Sequence, residues 1–467
     1  MILQRIYDDG LAQAGYLLAC DATREAIVVD PNRDIQRYLD ATAREHLHVA
    51  IVTETHVHAD FVSGARELAR RTGATLVLSD HGGAAWSYRY AVSDGARLVH
   101  HGESIDVGRV RLTVRHTPGH TPEHVCFIVT DRAVSESPLG MLSGDFIFAG
   151  DVGRPDLLER AANLEGSADW LARQLFQSIR ALSGLPDYLQ VWPGHGAGSA
   201  CGKSLGAMPS TTLGYERLVN WAFQIDDEAR FVREAIAGQP EPPRYFARMK
   251  AINRDGPPPR PTGALPTLDL AAVRRALDAG TPVIDVRPSA DFAQGHIPKT
   301  LNIPVGSSFA TWAGSLLPYD RDIVLVADDH DRVARARHLL SLVGLDRIAG
   351  FATADVLYAW RDRVSPLTRV EQLDVASAGE NHRRIVDVRS RAEWDAGHVP
   401  AAEHRFLGDL LELTRDLPRN TPLALHCQGG TRSSIAASLL LAEGFTDVAN
   451  MSGGFRAWEA AGLPVER

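Results

Sequence analysis

The sequence predicts an α/β multidomain protein in which a long N-terminal region precedes two related α/β domains with parallel sheets. Three observations carry this. First, the proline clusters GQPEPP at 238–243 and RDGPPPRPTGALP at 254–266 forbid a continuing helix or central strand and mark a linker. Second, the chain repeats itself: IDVRPSADFAQGHIP from Ile284 is matched by VDVRSRAEWDAGHVP from Val386. Asp285 to Asp387, Arg287 to Arg389 and His296 to His398 are each offset by 102 residues, and Arg332 to Arg432 by 100. Third, in both copies a short β-branched run leads into a helix-like stretch, and a second apolar run leads into another, the alternation of a parallel α/β sheet. The expected divisions are a first domain at 1–250, a Pro-rich linker at 251–266, and repeats at 267–365 and 366–467.

In the first domain, strands are expected at Ala26–Val29, Val49–Val52, Thr75–Leu78, Val110–Val114, Val125–Val129 and Leu189–Trp192. Helical stretches at Phe61–Arg71 and Ala168–Ala181 separate some of them. In the repeats, the paired strands are Pro282–Val286 with Ile323–Val326, and Arg384–Val388 with Leu423–Leu425. Polar clusters sit directly after several strand ends, where loops gather side chains into one cleft.

The 467 residues, 45% hydrophobic and 23% charged, suffice for several cores. A formal charge of −9 without a long basic block argues against nucleic acid and anionic membranes as partners and leaves small molecules. No apolar run reaches membrane-spanning length and the start has no signal-peptide pattern, so a cytoplasmic location is expected. The four cysteines, Cys20, Cys126, Cys201 and Cys427, form no C-x-x-C pair, which argues against a disulfide framework or a structural zinc site. Cys20 and Cys126 lie in apolar strand-like sequence and read as small buried hydrophobes.

Four glycine-punctuated segments carry the candidate metal ligands: TETHVHADFVSG at 53–64, HTPGHTPEH at 116–124, LSGDFIFAGDVGRPD at 142–156 and VWPGHGAGSACGK at 191–203. Histidines one residue apart beyond a strand, followed by aspartate, bring imidazoles and a carboxylate to one point. These segments resemble the metallo-β-lactamase superfamily, and over residues 1–245 its persulfide dioxygenase branch in particular. The resemblance implies an αββα sandwich. It also implies one Fe(II) per chain held by His56, His120 and Asp145, with His58 and Asp60 beside the ligands. Two-metal members have histidine where this chain has Phe61, which cannot ligate. Two imidazoles and one carboxylate form the facial set that holds non-haem Fe(II) with open positions. His195 is expected to act through a neutral ring that positions water or substrate. Cys201 beside Lys203 reads either as an activated thiol or as a small loop residue. Arg154 reads either as a ligand for a substrate carboxylate or as a brace for its loop.

The second repeat contains LALHCQGGTRSS at 423–434: a strand ends at Cys427, a glycine-bearing loop follows, and Arg432 opens a helix. Such a loop, formed by Gln428, Gly429, Gly430 and Thr431 with Ser433, aims N–H groups at a sulfur anion. With Asp387, Arg389 and the final MSGGFRAWEAAGLP, it resembles the rhodanese family. The first repeat keeps the frame but has Ala327 where the cysteine would stand, and its loop reads ADDHDR, so covalent sulfur transfer there is excluded.

Together the resemblances imply oxidation of a low-molecular-weight persulfide (glutathione or coenzyme A type) by O2 to sulfite and thiol, coupled to thiosulfate formation at Cys427. A glyoxalase II-like thioester hydrolase and a metal-free sulfur carrier are the alternatives. The expected partners are persulfides, O2 and sulfite, and self-association into a homo-oligomer is expected.

Overall fold

The computed structural model describes residues 1–157, 159, 166–203, 205–375 and 382–467. They fall into two compact units, Met1–Arg260 with Leu342–Gly344, and Pro261–Ser341 with Leu345–Arg467.

The first unit is built on two six-stranded sheets. One runs in sequence order: β1 (Ile2–Asp8), β2 (Gln13–Ala19), β3 (Glu25–Val29), β4 (His48–Thr53), β5 (Thr75–Ser79) and β6 (Arg97–Val99). The other comprises β7 (Ser104–Val107), β8 (Val110–His116), β9 (Val125–Asp131), β10 (Gly140–Gly144), β11 (Gln190–Pro193) and β12 (Thr211–Thr212), again in order. Strand periodicity explains the layering. On β2, Ala14, Tyr16 and Leu18 enter a core shared with Val125, Phe127 and Val129 of β9, while Leu17 and Ala19 join a second core with Leu68 and Tyr38. On β9, Cys126 and Ile128 turn outward onto Leu175, Phe176 and Ile179 of the helix Ser167–Arg180. Both sheets are therefore covered on both faces, giving the expected αββα sandwich. The metal-motif segments leave the ends of β4, β8, β10 and β11 together.

Two expectations change. The helix expected from Phe61 begins at Ala65, because Phe61–Gly64 is held as a loop. Asn253 donates to the carbonyls of His58 (2.8 Å) and Phe61 (2.7 Å) and accepts the Ser63 N–H at 2.9 Å. The linker expected from residue 251 starts later, because FARMKAINRD lacks glycine and proline and runs as one helix, Phe246–Asp255. Its face Phe246, Met249, Lys250 and Asn253 is buried. Asn253→Ala strands three buried backbone groups and is expected to cost the first unit about 2–4 kcal/mol in urea unfolding followed by circular dichroism. A loss under about 0.5 kcal/mol, the scale of an ordinary surface change, would contradict this packing.

The second unit holds two parallel sheets. The first has the order β14 (Leu301–Asn302), β13 (Val283–Asp285), β15 (Ile323–Ala327), β16 (Ile348–Thr353). The second has β17 (Glu371–Leu373), β21 (Val448–Met451), β20 (Leu423–His426), β18 (Arg384–Asp387), β19 (Glu403–His404). The repeat is visible in matching buried pairs: Arg287 reaches Asp285 at 2.6 Å, and Arg389 reaches Asp387 at 2.7 Å. Among the described residues no helix is long and apolar enough to cross a membrane.

Candidate metal centre and cysteine loop

His56, His120 and Asp145 converge, with one ligand atom from each lying within 4.8 Å of the others, and all three are buried. The chain sets each ring. Thr55 accepts from His56 Nδ1 at 3.0 Å and donates to Asp30 at 2.9 Å, so the His56 Nε2 lone pair is left facing inward. His120 Nδ1 donates to the Arg154 carbonyl at 3.1 Å, with the same result. Asp145 Oδ1 accepts from His195 Nδ1 at 2.7 Å. Its Oδ2 is buried without a hydrogen-bond partner, 3.8 Å from His56 Nε2 and 3.5 Å from His120 Nε2. Two inward lone pairs and an orphaned carboxylate oxygen are what a cation would satisfy, so these residues fit a metal. Burial, then the neighbouring His58, holds the His56 ring well below its usual pKa. His120 falls to about 4, mainly through burial. Both rings are therefore neutral, as ligation requires. Gly144 makes the approach possible: its φ is +51°, and a Cβ there would lie 2.5 Å from Thr55 Oγ1.

His58 turns from this point to Asp30, 3.1 Å away, and its ring lies against Phe61, centroids 4.4 Å apart. Burial alone would lower its pKa, but the Asp30 charge lifts it to about 9. Phe61, which the sequence marked as unable to ligate, is fully buried. His195 Nε2 donates to Asp60 Oδ2 at 2.8 Å while Nδ1 serves Asp145. Burial opposes charge on this ring, but the two carboxylates raise its pKa well above the usual value. The ring is held between the two carboxylates, Asp145 at Nδ1 and Asp60 at Nε2.

Of the two readings of Cys201, the surroundings do not favour the activated thiol. It is buried beside Asp60 and His195, and burial together with the charges of Asp145 and Asp60 pushes its thiol pKa well up. Lys203 does not serve it: the ammonium bonds the Glu234 carbonyl and lies 4.9 Å over the Trp221 ring. Arg154 is fully buried and grips Asp156 with two bonds (2.7 and 2.8 Å) as well as the carbonyls of Ala200 and Pro240. That is the loop-bracing reading of the two.

Sequence reasoning passed over Asp30, Glu54, Glu123, His124 and Lys250. His124 Nε2 accepts the Asp145 N–H at 3.2 Å, and its ring stacks on His56 at 5.0 Å. It lay within HTPGHTPEH and could have been found there. Glu54 is pushed up to about 7 by burial, and both its oxygens lack hydrogen-bond partners. Burial, opposed by Glu123, draws Lys250 down to about 8.

In the second unit, Cys427 follows β20 and is nearly buried, and its sulfur accepts from the Gly430 N–H at 3.1 Å and the Ser433 hydroxyl at 3.5 Å. The helix Thr431–Ala442 points its N-terminus at this loop, and Gly430 takes a φ of +105° to allow the turn. Gln428 is held from outside by Arg389 at 3.1 Å. Arg432 forms a two-pronged pair with Glu393 at 2.6 and 2.7 Å. In the first repeat Ala327 is buried and Arg332 turns to Asp328 at 2.9 Å, so no nucleophile or free guanidinium faces that loop.

Burial raises the Glu393 pKa, but the Arg432 bonds more than offset it and hold the carboxyl near 2, against 4.5 ordinarily. A depressed acid stabilises the fold above its unfolded pKa and ceases to do so as pH falls through the folded one. Between about pH 5 and pH 2 the thermal midpoint of the second unit is expected to fall more steeply in wild type than in Glu393→Gln. Parallel slopes would contradict the pairing.

The Metallo-beta-lactamase superfamily profile matches residues 9–195, and the Rhodanese-like domain profile matches 269–357 and 370–461. A crystal structure described as a metallo-beta-lactamase from Staphylococcus aureus subsp. aureus COL is 41% identical, with a TM-score of 0.68. The match covers 76% of this chain and 99% of that one. ETHE1 from Myxococcus xanthus is 26% identical over 50% of this chain and 90% of its own, with a TM-score of 0.41. Hydroxyacylglutathione hydrolase from Polaromonas sp. is 34% identical over 42% of this chain, which spans 66% of that relative's length. The chain belongs to the metallo-beta-lactamase superfamily and continues into two rhodanese-like domains.

Proposed function

We propose that the chain is a persulfide dioxygenase joined to a sulfurtransferase: His56, His120 and Asp145 would hold one Fe(II), a low-molecular-weight persulfide is oxidised there by O2, and Cys427 carries the sulfur that converts the sulfite to thiosulfate. The observation that carries this reading is the buried set of two histidines and one carboxylate, His56, His120 and Asp145, with Phe61 buried against the neighbouring His58. The overall change is RSSH + O2 + H2O → RSH + sulfite + two protons, which balances atoms and charge. When bound, the metal supplies the redox step between O2 and sulfur. The chain does the rest. Thr55, Asp30 and the Arg154 carbonyl fix the two imidazoles, and His195 holds Asp145 so that Oδ2 faces inward. His195 carries a proton at Nε2 against Asp60. Burial of the whole set excludes bulk water.

At the cysteine loop, the Cys427 thiolate takes the outer sulfur of a second RSSH, releasing RSH; sulfite sulfur then attacks the outer sulfur of the resulting Cys427 persulfide, the S–S bond breaks, and its electron pair returns to Sγ. Thiosulfate leaves. The Gly430 N–H and Ser433 hydroxyl stabilise the returning thiolate, and Arg432, released in part from Glu393, neutralises the dianion. The substrates are small molecules in the cytoplasm, and the product pattern suits sulfide detoxification.

A thioester hydrolase is the second reading. It is favoured by the Polaromonas relative and by Asp60, His195 and Cys201, which also form a group able to hold an ion. Against it, both His195 nitrogens are already engaged by carboxylates. Metal analysis of anaerobically purified protein separates the readings. One iron per chain supports the dioxygenase, two metals the hydrolase, and none a carrier acting through Cys427 alone.

A further inference from the structure

Lys250 is an unusual resident of the buried face of the helix Phe246–Asp255. Its Nζ is inaccessible to solvent and has no hydrogen-bond partner. It lies 4.8 Å over the Trp86 ring, and its charge acts on Glu123, Cys201 and the ligand His120. Glu123 does not satisfy it: Oε1 is committed to the Val57 N–H at 2.9 Å, and Oε2 is itself unpartnered. The Tyr88 and Tyr90 hydroxyls and the Thr121 hydroxyl are likewise buried without partners. A buried ammonium without a partner costs free energy that an anionic ligand would return. An aromatic face, which offers only its quadrupole, offsets a small part of that cost.

We propose that Lys250 recognises the negative charge on the substrate's sulfur at the metal centre, making it a substrate-positioning residue supplied by the last helix of the first unit. This rests on the reading that the centre takes a sulfur anion. A carboxylate on the thiol carrier would present the same charge, but Lys250 shares the buried helix face of Asn253, which bonds the carbonyls of His58 and Phe61, so that face packs against the loop that carries His56 and turns to the sulfur end.

The test uses full-length protein loaded with Co(II) in place of iron and titrated without O2, following the sulfur-to-cobalt charge-transfer absorption. The probes are 2-mercaptoethanol, which has no carboxylate, and glutathione. Lys250→Met and Lys250→Gln are expected to raise Kd at least about tenfold for both probes, with cobalt content unchanged, whereas Lys250→Arg stays within about threefold. An unchanged Kd for 2-mercaptoethanol in both neutral variants overturns the proposal, including the case in which only glutathione binding weakens. So does a wild type that binds neither thiol. If Lys250 governs thiolate binding but the iron enzyme consumes no O2 with persulfide, the reaction assignment fails and the proposal stands.

Discussion

Replacing His120 by alanine should reduce persulfide-dependent O2 consumption by at least about 1,000-fold, beyond the 10–100-fold that follows from losing a group that merely supports a ligand. The side chain supplies one of the two inward imidazole nitrogens, and nothing nearby replaces it: the His124 ring is engaged at Nε2 by the Asp145 N–H and at Nδ1 by Thr117. Metal content should fall with activity. The sulfurtransferase reaction, assayed with thiosulfate and cyanide, should persist, because Cys427 and its loop belong to the second unit. Loss of both activities together would mean that the variant has unfolded.

Cys427→Ser should give the complementary result. O2 consumption is expected to remain within about twofold of wild type while thiosulfate formation falls at least about 1,000-fold and sulfite accumulates in its place. A hydroxyl at this position cannot carry sulfane sulfur. Ala327 cannot compensate, since the first repeat lacks a nucleophile and its Arg332 is paired with Asp328. Thiosulfate formation at the wild-type rate would place the sulfur transfer elsewhere in the chain.

The parts of this molecule that were legible in sequence are those set by short-range pattern. His56, His120 and Asp145 stand at fixed places just past apolar strands, and those strand ends meet in the sandwich. The 102-residue repeat marked the two similar sheets, and Ala327 marked the missing nucleophile. What escaped depends on partners far apart in the chain. Asp30 tunes His56 through Thr55, and nothing in VVDPNRD announces that role. Asn253 shapes the loop after His58 across 195 residues of sequence. Protonation states escaped for the same reason. Lys203 is next but one to Cys201, yet the fold sends its ammonium to Glu234 and brings Asp60 and Asp145 to the thiol instead. Strand β2 was missed because it is buried along its whole length and shows no alternation of polar and apolar residues.

The central claim is that the first unit performs oxidation rather than hydrolysis. Its most direct test is to give one iron-quantified, anaerobically purified sample either glutathione persulfide in an O2 electrode or a glutathione thioester in a hydrolysis assay. O2 uptake matched by sulfite plus thiosulfate, with negligible thioester cleavage, is the predicted result. Rapid thioester hydrolysis without O2 uptake would contradict it and make the first unit a hydrolase.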